Sequence, residues 1–135
     1  MRTIRIYLAG GMGKFGKDNF EESNKWRKYC EDILKRYDWN CHLEVINPNS
    51  YFNFLDKPPR YSSEREIMEF DINKVRNSDL IICNFNDPKS LGTMAEIAIA
   101  YERRIPVIGL NEDFDELHPW QIEMCTRIFN NIDEM

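Results

Sequence analysis

Residues 79–110, DLIICNFNDPKSLGTMAEIAIAYERRIPVIGL, predict a strand, a helix and a second strand in that order. The first segment, DLIICNF, is nearly all apolar, which is typical of a strand buried on both faces of a parallel sheet. A glycine-containing turn follows, then a helix from about Thr93 to Arg103, and then the strand PVIGL. Parallel sheets are built from this unit, because the helix carries the chain back across one face of the sheet.

The same alternation extends over the rest of the chain. Two more strands are predicted from β-branched runs, TIRIYLA from Thr3 and HLEVI from His42. Three more helices are predicted within residues 18–37, 62–78 and 119–132. The last of them is expected to begin with Pro119 at its first helical position. Strands alternating with helices imply an α/β fold, a doubly wound parallel sheet with helices on both faces, and the 135 residues fit a single three-layer domain over residues 1–135.

Charge and composition restrict the possible partners. The net charge of −5 argues against a nucleic-acid polymer or an anionic membrane as the main partner, because both bind basic surfaces. A small phosphorylated ligand needs only one local pocket and is compatible with this charge. The four cysteines form no CxxC pair, so we predict no metal site and expect reduced thiols in a soluble, cytoplasmic protein. No apolar run approaches the ~18 residues of a membrane span.

Ligands of such sheets bind at the carboxyl ends of the strands, where loops gather. Four loops are expected on that rim, at residues 10–16 (GGMGKFG), 49–61, 84–93 (NFNDPKSLGT) and 111–120. The loop of residues 49–61 holds four aromatic side chains, which either stack on a base or form a satellite core. The glycine loop matches neither GxGxxG nor the Walker A pattern, so ATP or GTP hydrolysis is not predicted.

A lone carboxylate, Glu96, follows the turn SLGT near the start of a helix on this rim. One interpretation is structural, because Thr93 and Glu96 have the spacing of a capping box and an acid in the first turn suits the helix dipole. The other is catalytic, because Tyr7 near the end of the first strand and Asp71 on the preceding helix would converge on Glu96. A carboxylate with such neighbours can act as a nucleophile with an orienting partner and a general acid. The residues alone leave both interpretations open.

Three segments resemble the nucleoside 2-deoxyribosyltransferase family. They are IYLAGGM (6–12), DINKVRNSDLIICNF (71–85) and GTMAEIAIAYERRIPVIGL (92–110). The resemblance implies a flavodoxin-like sheet, cleavage of the N-glycosidic bond of a nucleoside or nucleotide without metal or organic cofactor, and a homodimer or higher homo-oligomer in which a neighbouring subunit closes the site. By position it makes Glu96 the nucleophile, gives Tyr7 the role of orienting it, and places Asp71 near the sugar and base, where it assists proton transfer.

One position departs from the family pattern. Deoxyribosyltransferases usually have an Asp six residues before the nucleophile, and this chain has Ser90 there. In this position the chain resembles the branch of the family that hydrolyses 2'-deoxynucleoside 5'-monophosphates, in which the serine binds the phosphate. That branch usually has a serine and an arginine in the first loop, where this chain has Gly11 and Lys14. Lys14 could add positive charge near a phosphate, and Gly10 and Gly11 would let the backbone approach the sugar or phosphate.

The turn SLGT offers backbone N–H groups and hydroxyls at a helix N-terminus, a natural anion site formed by Ser90, Gly92 and Thr93. We therefore predict a hydrolase of 2'-deoxynucleoside 5'-monophosphates. The alternative is a deoxyribosyltransferase that moves 2'-deoxyribose between bases, with Asp87 in place of the missing acid. The second alternative is a non-catalytic nucleotide-binding module on the same fold, since a fold by itself does not determine function.

Overall fold

The computed structural model describes residues 2–11, 17–37, 39–48 and 64–134, with the backbone alone for residues 17–23 and 64. Strands and helices alternate through these residues. The elements are β1 (Thr3–Gly10), α1 (Lys17–Lys35), β2 (His42–Ile46), α2 (Glu64–Arg76), β3 (Leu80–Asn84), α3 (Leu91–Glu102), β4 (Val107–Leu110), α4 (Pro119–Met124) and β5 (Arg127–Phe129), followed by a 3₁₀ turn at Ile132–Glu134.

The five strands form one parallel sheet in the order β2-β1-β3-β4-β5. This is the flavodoxin-like order, and it confirms the predicted α/β fold. The order of the strands reverses between β1 and β3, and the carboxyl ends of the strands at such a reversal are where ligands of these sheets bind. The pairing of β1 with β2 ends at Tyr7 and Ile46, while its pairing with β3 continues to Gly10 and Asn84. The last residues of β1 therefore extend past the end of β2.

Successive side chains of the strands point to opposite faces of the sheet, and each face has its own core. One core packs α2 and α3 against the sheet, and its buried members include Tyr7, Ala9, Val75, Cys83 and Ile97. The other core packs α1 and the C-terminal turn on the opposite face, and its buried members include Leu8, Trp26, Cys30, Leu110 and Ile132. Tyr7 thus lies on the same face as α2 and α3.

The tail of the chain differs from the prediction of one helix over residues 119–132. The helix begins as predicted, with His118 as N-cap and Pro119 in the first turn, but α4 ends at Met124. The next residues form β5, joined to β4 through bonds from Thr126 N to Val107 O (2.8 Å) and from the N–H of Asn111, just after β4, to Phe129 O (2.8 Å). A strand of three residues is too short to show a period of its own, and it is stabilised by the open edge of β4.

Candidate active site

Glu96 and Tyr7 meet on the α2–α3 face of the sheet. The phenol of Tyr7 is buried, and its hydroxyl donates a hydrogen bond to Oε2 of Glu96. Glu96 lies in the second turn of α3 and is partly buried. One carboxylate oxygen of Glu96 is therefore held by a buried donor from β1, an internal strand of the sheet.

The capping interpretation of Glu96 is wrong. The N-cap of α3 is Ser90, whose Oγ accepts a hydrogen bond from the N–H of Thr93 at 3.4 Å, and the first turn holds no acidic residue. Thr93 is thus inside the helix, and Glu96 lies three residues further on, beyond reach of the unpaired N–H groups at the start. Ser90 has extended backbone angles (φ −64°, ψ 115°), as an N-cap residue does, and this explains why the helix begins at Leu91.

Asp71 on α2 is the third member of the group. It is half-buried, and its Oδ1 has no hydrogen-bond partner among the described residues although solvent does not reach that atom. Burial raises the pKa of Asp71 to about 6, and the charge of Asp71 in turn raises the pKa of Glu96 and of Tyr7. A buried carboxyl oxygen without a partner is unusual and points to a role in binding or proton transfer.

The site has a strongly perturbed acid–base balance. Burial raises the pKa of Glu96 to about 8; the hydrogen bond from Tyr7 and the charge of Arg27 oppose that rise, and the charge of Asp71 adds to it. The pKa of Tyr7 lies well above its usual value, first because of burial and then because Glu96 is close. Tyr7 therefore remains a donor throughout the physiological range. Two carboxyl groups with pKa values displaced from the ordinary range are typical of a pair with acid and nucleophile roles.

The loops after β1 and β3 are tied together at the rim. The N–H of Gly11 donates to Oδ1 of Asn86 at 3.1 Å, and a β-carbon added at Gly11 would lie 2.9 Å from Cβ of Asp87. Glycine is needed at position 11 because Asp87 is so close. The structure thus brings Asp87 against Gly11, at the carboxyl end of β1.

The start of α3 presents polar groups to the same rim. Oγ of Ser90 accepts from Oγ1 of Thr93 at 3.0 Å as well as from the N–H of Thr93, which leaves the hydroxyl hydrogen of Ser90 available to donate. Gly92 is exposed, with open space where a β-carbon would be. Ser90, Gly92 and Thr93 therefore lie in one turn at the start of α3, while Lys14 and the aromatic residues of the loop 49–61 lie outside the described residues.

Two buried polar side chains of this region were not identified from the sequence. Arg27 on α1 is fully buried and donates to the carbonyls of β1. Gln121 on α4 is also buried; its Nε2 donates to the carbonyl of Pro88 at 2.7 Å, and its Oε1 accepts from the N–H of His118 at 2.7 Å. Helical spacing places Trp26 on the apolar face of α1, and a basic residue next to it is expected to lie in solvent. The sequence therefore gave no indication that Arg27 is buried.

Neither a metal site nor a membrane span occurs in the part of the chain that the structure describes. No three His, Cys, Asp or Glu side chains are grouped there in a way that could hold a metal ion. None of the helices described combines the length and the hydropathy that crossing a bilayer requires.

Comparison with known proteins gives a family and a fold. Residues 6–134 match the family model described as nucleoside 2-deoxyribosyltransferase. No curated protein sequence is significantly similar to the chain. A conserved protein from Enterococcus faecalis V583 has a similar structure, with a TM-score of 0.76 and 20% identity over 98% of this chain and 94% of that one.

Two similar structures are those of enzymes. A 2-deoxyribosyltransferase from Bacillus psychrosaccharolyticus superposes with a TM-score of 0.71 and 14% identity over 96% of this chain and 88% of that one. A CMP N-glycosidase from Clostridium botulinum superposes with a TM-score of 0.55 and 17% identity over 96% of this chain and 93% of that one. At these identities the likeness establishes the fold, and it agrees with the family model.

Proposed function

The chain belongs to the nucleoside 2-deoxyribosyltransferase family of enzymes, and from that premise we propose that it hydrolyses the N-glycosidic bond of a 2'-deoxynucleoside 5'-monophosphate. The observation that carries the proposal is the hydrogen bond from Tyr7 to Glu96, together with the buried Oδ1 of Asp71, which has no hydrogen-bond partner among the described residues. Placing two partly buried carboxyl groups in one region is unfavourable, because the charge of Asp71 adds to the rise in the pKa of Glu96. A nucleophile and an acid for glycosidic cleavage account for both.

In the proposed reaction, the ionised form of Glu96 attacks C1' of the sugar with one oxygen while Tyr7 holds the other. The proton that Glu96 carries below its pKa of about 8 leaves to solvent before the attack. The bond from C1' to the base nitrogen breaks through an oxocarbenium-like transition state, and the base leaves with a proton from Asp71. Water then attacks C1' of the glycosyl-enzyme, the ester bond to Glu96 breaks, and Asp71 takes the proton of that water. Asp71 can serve in both steps because its pKa of about 6 lets it exchange a proton near neutral pH.

The phosphate part of the proposal depends on the start of α3. The hydroxyl of Ser90 has a hydrogen to donate, and the first turn of α3 holds the exposed Gly92, where no side chain would block an approaching anion. An anion is stabilised at such a helix N-terminus, whereas an aspartate at position 90 would repel it. The serine therefore favours a monophosphate over a nucleoside.

Deoxyribosyl transfer is the second candidate, because Asp87 lies against Gly11 on the rim. A carboxyl group at this place can protonate a leaving base or hold an acceptor base. In the deoxyribosyltransferases that task belongs to the aspartate that this chain replaces with Ser90. A non-catalytic nucleotide-binding module is the third candidate. It is disfavoured, because binding alone gives no reason to bury Glu96 against Tyr7.

Base release, followed by chromatography, tests the proposal. Purified protein would receive each 2'-deoxynucleoside, each 2'-deoxynucleoside 5'-monophosphate and CMP, with and without a second free base. We expect free base to be released only from the deoxynucleoside monophosphates. The rate of release should fall at least about 1,000-fold in Glu96→Ala. Glu102→Gln, at the exposed end of the same helix, is the matched control and should retain full activity.

The other outcomes each select another function. Product only when an acceptor base is present would make the protein a transferase, and cleavage of CMP would extend its substrates to ribonucleotides. Equal release by wild type and Glu96→Ala would refute Glu96 as the nucleophile. Binding of a monophosphate without any cleavage would favour the non-catalytic module.

A homodimer through the outer face of α3 is also part of the proposal. This helix is apolar on nearly every side, yet Leu91 is 84% exposed and Tyr101 59% exposed. A helix of that composition is expected to be covered, and a second copy would cover it next to the site. Sedimentation should show a dimer that Tyr101→Glu weakens, whereas Tyr37→Glu, at an equally exposed tyrosine near the end of α1, leaves it intact.

A cytoplasmic location is proposed as well. Cys30, Cys41, Cys83 and Cys125 are all free thiols, which suits a reducing compartment. A nucleotide substrate would be available in the same compartment. Fractionation of cells that produce the protein would test this.

A further inference from the structure

The buried amide of Gln121 on α4 contacts the chain on both sides of Ser90. The side chain of Gln121 is 3% exposed. Its Nε2 donates to the carbonyl of Pro88 at 2.7 Å and lies 3.1 Å from Sδ of Met94, a weak acceptor. Pro88 comes shortly before Ser90 in the chain, and Met94 lies one helical turn after it. One amide group therefore links α4 to the loop before Ser90 and to the helix after it.

The turn between β3 and α3, residues 85–90, needs such contacts to have a fixed place. Inside it, the N–H of Ser90 donates to the carbonyl of Asp87 at 3.0 Å. That bond determines the shape of the turn and leaves its place on the sheet open. Asn86 joins the turn to the loop after β1, and Gln121 joins it to α4 through Pro88. The second of these contacts is the nearer to Ser90 along the chain.

Capping of α4 does not explain why residue 121 is a glutamine. Gln121 is the third residue of this helix, and its Oε1 accepts from the N–H of His118 at 2.7 Å, which completes a capping box. A glutamate would accept the same bond, and capping boxes use either residue. The amide differs from a carboxylate in having hydrogens to donate, and one of them goes to Pro88. The contact with the turn accounts for the part of Gln121 that capping leaves unexplained.

We propose that Gln121 is a positioning residue of this site, which holds the turn between β3 and α3 where Ser90 meets the phosphate of the substrate. The proposal deepens the proposed function and rests on it, because binding of a phosphate by Ser90 is part of that function. Gln121 acts through its contacts with Pro88 and Met94. Displacing Ser90 should weaken the binding of phosphate, since a hydrogen bond weakens steeply as its geometry departs from the optimum.

Gln121→Met tests the contact with Pro88, because methionine is also unbranched and of similar length but has no hydrogen to donate. We expect KM for a 2'-deoxynucleoside 5'-monophosphate to rise at least about fivefold. We expect kcat to change less than about twofold, because Glu96 is held separately by Tyr7. An unchanged KM, or a loss confined to kcat, would overturn the proposal.

Ser78→Ala is the matched control. Ser78 is also buried, and its hydroxyl donates to the carbonyl of Lys74 at 2.7 Å. It lies just before β3, at the opposite end of that strand from the rim. Its replacement removes a buried hydrogen bond without touching the turn, so KM should remain that of wild type. A rise in KM equal to that of Gln121→Met would show a general effect of lost stability and overturn the proposal.

Gln121→Glu separates the donor from the cap and keeps the test decisive if the methionine variant does not fold. Either form of the new carboxyl group can accept from the N–H of His118. The protonated form has an O–H that can donate to Pro88, and the ionised form has none. Burial favours the protonated form, so the ratio of KM to that of wild type at the same pH should be near one at about pH 5.5 and at least about five at about pH 9. A ratio that does not change with pH would overturn the role of the donor.

Hydrogen exchange in the protein without substrate measures the position of the turn directly. The N–H of Ser90 is bonded within the turn, and the N–H of Thr93 is bonded to the hydroxyl of Ser90. Both should exchange at least about fivefold faster in Gln121→Met, and at the wild-type rate in Ser78→Ala. Unchanged exchange in Gln121→Met would overturn the proposal. A wild-type protein that releases no base would instead count against the proposed function, and exchange would still show whether Gln121 holds the turn.

Discussion

Replacing Glu96 with glutamine should stabilise the protein, and the gain should grow with pH. In wild type, burial raises the pKa of Glu96 from 4.5 to about 8. The folded protein therefore binds a proton at Glu96 more tightly than the unfolded chain does, and its free energy of unfolding falls as the pH rises from about 4.5 to about 8. Glutamine is neutral at every pH and can still accept the hydrogen bond from Tyr7, so this fall disappears in the variant.

The size of the effect follows from the two pKa values. At about 1.4 kcal/mol for each pKa unit, the difference between 4.5 and about 8 sets an upper value of about 5 kcal/mol above pH 8. Glu96 is partly exposed, and water screens its charge, so we expect about 2 kcal/mol. For a chain of this length that corresponds to a rise of about 7 °C in Tm.

Urea unfolding of wild type and Glu96→Gln between pH 4 and pH 9 would measure this difference in the free energy of unfolding. The difference in free energy of unfolding should be near zero at pH 4, where the carboxyl is protonated in both states, and should reach its plateau above pH 8. Glu102→Gln, on the exposed end of α3, is the matched control, because it makes the same replacement at an exposed glutamate of the same helix. A difference for Glu96→Gln that is flat or shrinks as pH rises would refute the buried, protonated carboxyl from which the reasoning starts. The same variant should be inactive, so stability and activity would move in opposite directions.

Tyr7→Phe removes the hydrogen bond that lowers the pKa of Glu96. The acidic limb of the kcat/KM profile should therefore move to higher pH, and activity at pH 7 should fall about tenfold, whereas an unchanged profile would contradict the reasoning. Ser90→Ala removes the N-cap of α3 and should lower the free energy of unfolding by about 1 kcal/mol in urea titration. The same change should raise KM for a monophosphate at least about fivefold and leave KM for the nucleoside unchanged, unless the serine is only a cap. Gly11→Ala places a methyl group 2.9 Å from Cβ of Asp87, so the rim loops must move, and kcat/KM should fall while Tm changes by only a few degrees.

The sequence predicted the architecture because the fold depends on patterns that are local. Apolar runs of strand length alternate with helical spacing from β1 to β4, and a parallel α/β sheet follows from that order. Pro119 marked the start of α4 for an equally local reason, since a proline lacks the N–H that the first turn leaves unpaired. The sequence also predicted that Tyr7, Asp71 and Glu96 lie near one another. The prediction came from their positions in elements that meet at one edge of the sheet, and from the family resemblance.

Three features became clear only in the folded structure. Either Ser90 or Thr93 could have capped α3, and only the extended backbone of Ser90 settles that Glu96 is not part of a cap. The strand β5 forms because the edge of β4 offers hydrogen-bond partners to Thr126 and Phe129. The local sequence pattern does not predict this pairing.

Arg27 is the clearest case, because its burial depends on two segments far apart in the sequence. The carbonyls of Leu8 and Gly10 lie beyond the last pair of β1 with β2, and α1 passes close enough for Arg27 to reach them. Local sequence determines which segments become strands and helices, since propensity and period act over a few residues. The charge balance around Glu96 arises only after folding, because desolvation and the distances between Arg27, Asp71 and Tyr7 do not exist before the sheet has formed.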